Sequence, residues 1–141
     1  MANTSELKAI TQYALDAVSN IVGVRLVPRK LPVSDSREKA FSGVSSDGTI
    51  LVQIINNSGY TSGGNVPNAK FRMVYADCYF MNMTSAKKKI LAFTNEEFYK
   101  LFKDKSDGFL PDFDVIHIDL PEELKQIAQR VTREASLEMT K

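Results

Sequence analysis

The stretch Asp47-Gly48-Thr49-Ile50-Leu51-Val52-Gln53-Ile54-Ile55 decides how the rest of the chain is arranged. Asp-Gly is a tight-turn signal between two β-like runs. From Thr49 onward the residues are β-branched or aliphatic, and Gln53 is the single large polar one. A strand of that composition is covered on both faces, so it belongs inside a sheet with helices on either side. Gln53 then needs explaining. A buried amide costs free energy unless it is hydrogen-bonded. Neighbouring backbone can satisfy it, or a ligand can. Asp47 poses the same choice, because Asp before Gly makes a good turn with no further role.

Working outward, the residues before Gly23 read as a helix, with Leu7, Ile10, Tyr13, Ala14, Ala17, Val18 and Ile21 on one stripe. Val24 to Val27 is short and β-like. Pro28 and Pro32 bracket Arg29-Lys30, which restricts that stretch to a loop or an edge strand. Residues 33–46 are polar, and Val33, Phe41 and Val44 could form a weak strand. Asn56 to Asn68 is a loop with Gly59, Gly63 and Gly64. It lacks the Gly-Lys-Ser or Gly-Lys-Thr of a phosphate loop.

The second half alternates helix and strand. Ala69 to Met83 is helical in spacing but apolar almost all round, which predicts a central position or an oligomer interface, a homodimer through residues 69–83. Lys87, Lys88 and Lys89 form a solvated turn before a strand, Ile90 to Phe93. Thr94 and Glu97 read as a capping box for a helix from Glu96 to about Lys103. Phe113 to Leu120 is a strand that carries the lone His117 opposite its isoleucines. Pro121-Glu122-Glu123 opens the last helix, with Leu124, Ile127, Ala128, Val131 and Ala135 as its buried stripe. The prediction is an α/β fold in one domain, residues 1–141. A central mixed sheet is flanked by helices in the order α-β-β-β-α-β-α-β-α.

Composition narrows the function. The chain has 141 residues, 43% apolar and 25% charged, with a net charge of +1. These values exclude a disordered chain and a highly basic coat protein. The lone Cys78 excludes an internal disulfide and reads as a small hydrophobe. No apolar run is long enough to span a membrane, and Met1 to Lys8 lacks a leader's basic and apolar regions. The expected location is the cytoplasm. The near-neutral total hides an asymmetry: residues 1–70 hold seven basic and five acidic side chains. Arg29, Lys30, Arg37, Lys39 and Lys70 are the candidate phosphate contacts.

With these residues in view, the chain resembles the PD-(D/E)XK nucleases, the restriction-endonuclease-like family. The element order matches that family's core, and so does an Asp in the turn before a buried strand with a polar residue six positions on. The apolar helix, the Lys-rich turn, the strand Ile90-Leu-Ala-Phe93 and the helix after Thr94 resemble its second half. The resemblance implies nucleic acid, DNA above all, as partner. It also implies Mg2+ as the cofactor of phosphodiester hydrolysis, held by oxygen ligands. Carried onto this chain, it makes Asp47, Gln53, Glu38 and Glu6 the metal ligands, and Asp47, Gln53 and Lys70 the catalytic set. Two departures stand out. Gln53 occupies an acidic position, and Ile55 occupies the position of the catalytic Lys, which Lys70 would have to replace. The alternative is a catalytically inactive nuclease-fold module that acts in assembly or regulation through a protein partner.

Overall fold

A computed structural model describes residues 4–57 and 68–139, without the side chains of Thr4 and residues 131–139. Gly59, Gly63 and Gly64 lie outside the described residues, as do the Val131 and Ala135 side chains. The elements are α1 (Thr4–Val22), β1 (Val27–Pro32), β2 (Glu38–Val44), β3 (Ile50–Ile55), α2 (Asn68–Asn82), β4 (Lys88–Phe93), α3 (Glu96–Lys105), β5 (Phe113–His117) and α4 (Glu122–Met139). This is the α/β order that the sequence predicts.

The side chains of β3 alternate between two separate apolar clusters, because successive strand residues point to opposite faces. Leu51 and Ile55 pack with Phe71, Val74, Cys78 and Met81 of α2 and with Phe98 and Phe102 of α3. Val52 and Ile54 pack with Ala14, Leu15 and Val18 of α1. The last helix lies against α1, where Arg130 pairs with Glu6. The result is three layers, α1 and α4, then the sheet, then α2 and α3.

Among the described residues the sheet has five strands in sequence order, β1 to β5. The first two pairings are antiparallel, and β3–β4 and β4–β5 are parallel. The tight turn that Asp47-Gly48 predicts joins β2 to β3. There the Gly48 N–H donates to the Ser45 carbonyl at 3.0 Å, and Gly48 has φ 74°. That left-handed conformation suits glycine. Parallel neighbours need a crossover, and α2 and α3 supply the two crossovers on one face. That face also carries an aromatic cluster: Phe71 stacks on Phe98 at 5.6 Å, and Phe93 meets Phe102 at 5.3 Å.

Several local expectations need correction. Of the two alternatives for Arg29-Lys30, the structure takes the edge strand: β1 is exposed at most positions, with Pro28 and Pro32 inside it. Lys88 and Lys89 belong to β4, since parallel pairing with Ile50 and Leu51 extends that strand toward its start. The cap of α3 is Asn95, whose side chain accepts from the Phe98 N–H at 2.8 Å. Thr94 instead turns inward, and its hydroxyl donates to Asn56 Oδ1 at 2.8 Å. The fifth strand stops at His117, short of Leu120; the Ile118 N–H donates to the Phe93 carbonyl as the last bond of the parallel ladder.

At Gly43 the Leu15 side chain of α1 packs directly on the sheet. A methyl group there would lie 2.3 Å from Leu15 Cδ1 and 2.7 Å from Val52 Cγ1. Both neighbours are buried, so Gly43→Ala forces them apart. The expected loss in chemical denaturation is about 1–3 kcal/mol with an unchanged slope.

Candidate functional site

Gln53 projects from the middle of β3 toward α2. Its Oε1 accepts from the Ser42 N–H at 3.0 Å and from the Ser42 hydroxyl at 3.2 Å. The Ser42 hydroxyl oxygen in turn accepts from the Ile54 N–H at 3.0 Å. Side chains here take over bonds that the strand ladder would otherwise make. The Cα register of β2 and β3 covers only Gly43 with Val52 and Val44 with Leu51. Toward the start of β2, then, the pair is held by Ser42 and Gln53.

Asp77 completes this polar cluster from α2. It is the single acid of that helix and is half-buried. Burial pushes its carboxyl above the usual range. Lys39 and hydrogen bonding to the Gln53 amide pull the other way. Lys39 lies on the same face, with its ammonium 4.8 Å from the Phe80 ring centre. The cluster therefore joins an amide, a carboxylate, a hydroxyl and an ammonium between β2, β3 and α2. Lys70 stands in the first turn of α2, two helical turns before Asp77, about 10 Å along the axis. Burial lowers its ammonium pKa.

The other residues named from the sequence lie elsewhere. Asp47 Oδ1 accepts from the Thr49 hydroxyl at 2.7 Å, the Ser45 hydroxyl at 2.7 Å and the Thr49 N–H at 3.0 Å. Those three donors, the Thr49 hydroxyl foremost, hold the carboxyl down to about 2. Roughly 13 Å of strand separates Thr49 from Gln53, and the two sites share no bonding partner. Glu38 is exposed at the start of β2. It is adjacent to Lys39 and therefore points to the opposite face. Glu6 is bound to Arg130. The structure thus joins Gln53 with Asp77 and Lys39, and leaves Asp47, Glu38 and Glu6 apart from them. Among the described residues no three His, Cys, Asp or Glu side chains are placed to hold a metal ion.

Asp77 is the residue that sequence reasoning missed. Its signal was a single carboxylate in a helix rich in apolar residues, directly before the buried Cys78. A second feature lies at the carboxyl ends of the parallel strands. A cavity of about 760 Å³ opens there between α3 and α4, lined by Asn56, Thr94, Glu96, His117, Asp119 and Lys125 among others. His117 lies against the Tyr99 ring at 5.6 Å. Asn56 ties the cavity's inner wall together, donating to Thr11 Oγ at 3.1 Å and accepting from Thr94.

Arg29 and Lys30 are exposed on β1, and Arg37 is exposed in the turn that follows. The Arg29 guanidinium donates to the Ser46 carbonyl at 3.3 Å, beside the Asp47 turn. No helix among the described residues is long and apolar enough to cross a membrane. Comparison with family models, curated proteins and solved structures gives no match to this chain.

Two pH effects follow. The Asp47 pKa is depressed, so its contribution to stability is present above the ordinary value of 3.8 and disappears as pH falls toward about 2. Thermal melts from pH 5 to pH 2 should show the wild type losing stability over that window more steeply than Asp47→Asn. The Asp77 pKa is raised, which has the opposite sign. The cost of ionising it is present at neutral pH and absent well below the ordinary carboxylate range. Asp77→Asn should therefore melt above the wild type at pH 7, with the gap closing as pH falls.

Proposed function

We propose that this chain is a nucleic-acid-binding module, built on a nuclease-like α/β core, that does not itself cut phosphodiesters. One observation carries the reading. The side chains that metal-dependent cleavage would recruit are committed to different parts of the protein: Asp47 to Ser45 and Thr49, Gln53 to Ser42, and Glu6 to Arg130. Position 55, where the resemblance asks for a Lys, is a buried Ile. The two residue types that define the motif's chemistry thus serve a turn and a strand junction.

The basic edge supports nucleic acid as the ligand. Arg29, Lys30 and Arg37 are exposed along β1 and its turn, and a phosphate backbone is read by such cations with a strong dependence on salt. Exposed charge on an edge strand also guards the sheet against strand addition, so the salt dependence is the deciding measurement. Fluorescence anisotropy with duplex DNA, single-stranded DNA and RNA should show binding that weakens as salt rises. Replacing Arg29, Lys30 and Arg37 together with Ala should reduce the slope of log K against log salt by about 2–3. Absence of binding at low salt, or an unchanged slope in the triple variant, would reject the reading.

A second reading rests on the Asp77, Gln53 and Lys39 cluster, which unites a carboxylate with an amide at the motif's acidic position and an ammonium. Under it, magnesium-dependent hydrolysis would be centred on Asp77, with Lys70 on the same helix. Cleavage of plasmid or single-stranded DNA with magnesium that is lost in Asp77→Asn would establish this reading in place of the first.

A further inference from the structure

The two borders of the sheet differ in charge and in backbone. Residues 24–33, which include β1, hold three basic side chains and no acid. The other border is β5, which is hydrogen-bonded to β4 alone. It contains no proline. Residues 106–124, which surround it, hold six acids and neither Lys nor Arg. From outside that stretch, Lys88 pairs with Asp114 and Lys125 with Asp119. Asp107, Asp112 and Glu123 form no ion pair among the described residues.

Only half of the β5 backbone is used. In a parallel pair, successive residues aim their N–H and C=O groups at alternate sides of the strand. The Ile118 N–H reaches the Phe93 carbonyl, so Ile116 and Asp114 face β4 as well. Val115 and His117 therefore face outward, and their N–H groups have no partner among the described residues. Such a row of open backbone groups is a template for a further strand.

A groove of about 600 Å³ follows this border. Residues 113–116 line it in succession, so side chains from both faces of β5 reach it. Ile21, Val22, Ile90 and Leu110 form further parts of its wall. Ile21 is 66% exposed.

These features define an occupant. The open N–H and C=O groups call for an extended chain that adds to the sheet. The aliphatic wall calls for an apolar side chain. The unpaired acids call for Lys or Arg. A phosphate backbone would be repelled here, and a second copy of β5 would set two acidic runs side by side. We propose that β5 docks an extended basic segment of another protein, which joins the sheet as a further strand and places an apolar side chain against Ile21. The proposal does not depend on what β1 binds.

A short peptide alternating Lys and Val is the probe, and a Glu-Val peptide is its control. Both are titrated into the full chain while amide hydrogen exchange is followed by nuclear magnetic resonance. The Lys-Val peptide should bind at ~10–100 μM and at least ~10-fold more tightly than the Glu-Val peptide. At ~1 mM Lys-Val peptide the Val115 and His117 amides, fast in the free protein, should slow by ~10-fold or more. The Ile116 amide, already in the ladder with β4, should change far less. Asp107→Lys together with Asp112→Lys, both at exposed positions, should abolish the preference for the Lys-Val peptide. A Lys-Val peptide methylated on its backbone nitrogens should not bind, a test that leaves the protein unaltered. Failure of the Lys-Val peptide to bind, equal binding of the two peptides, or binding of the methylated one would overturn the proposal. So would binding that leaves the Val115 and His117 amides fast. Slow exchange at those two amides in the free chain, growing with protein concentration, would assign the border to a second copy instead.

Discussion

A side-chain amide in the middle of a strand that is covered on both faces has to be bonded, and much of this structure is arranged around that requirement. Leu51 and Ile55 commit one face of β3 to α2 and α3, and Val52 and Ile54 commit the other to α1. Gln53 falls between the buried Leu51 and Ile55 and is itself half-buried, so part of its amide depends on protein partners. The Ser42 N–H and hydroxyl supply its donors. Meeting that need draws the Ile54 N–H onto a side chain and shortens the regular ladder between β2 and β3. Asp77 is then tolerated under α2 because it has an amide and Lys39 beside it. An apolar residue at position 53 would remove the cause of all three arrangements.

The same cluster is ambiguous in chemical character. A carboxylate, an amide and an ammonium in one half-buried spot resemble a hydrolytic site in composition. Their mutual bonds resemble a structural junction. Preorganised donors and acceptors that already satisfy one another have little capacity left for a ligand. That balance favours the structural role and explains why the binding reading rests on exposed cations instead.

Much of the fold was legible because its signals are local. The buried β3 run and the Asp47-Gly48 turn each follow from a few adjacent residues, and each is where the spacing puts it; the α1 helix is there too, but its buried face takes in Leu15 and leaves Tyr13 and Ile21 exposed. Errors arose where tertiary partners decide. Thr94 matched a capping pattern, yet its hydroxyl serves Asn56, just past the end of β3, and Asn95 takes the cap. Lys88 and Lys89 look like a solvated turn until pairing with β3 recruits them. The site was less legible still. Asp47 and Gln53 are close in sequence, but an extended strand converts six residues into a long separation. Asp77 is distant in sequence and comes next to Gln53 only because α2 crosses over β3.

The prolines of β1 carry a further consequence. That strand is the open edge of the sheet, six residues long, and Pro28 and Pro32 take two of its positions without an N–H to offer. Arg29 and Lys30 fill the space between them with charge. A neighbouring chain that tried to add a strand here would find missing donors and mutual repulsion, so this border of the sheet is a poor template for fibril growth. The protein can therefore expose this β edge to solvent without that edge seeding its own polymerisation.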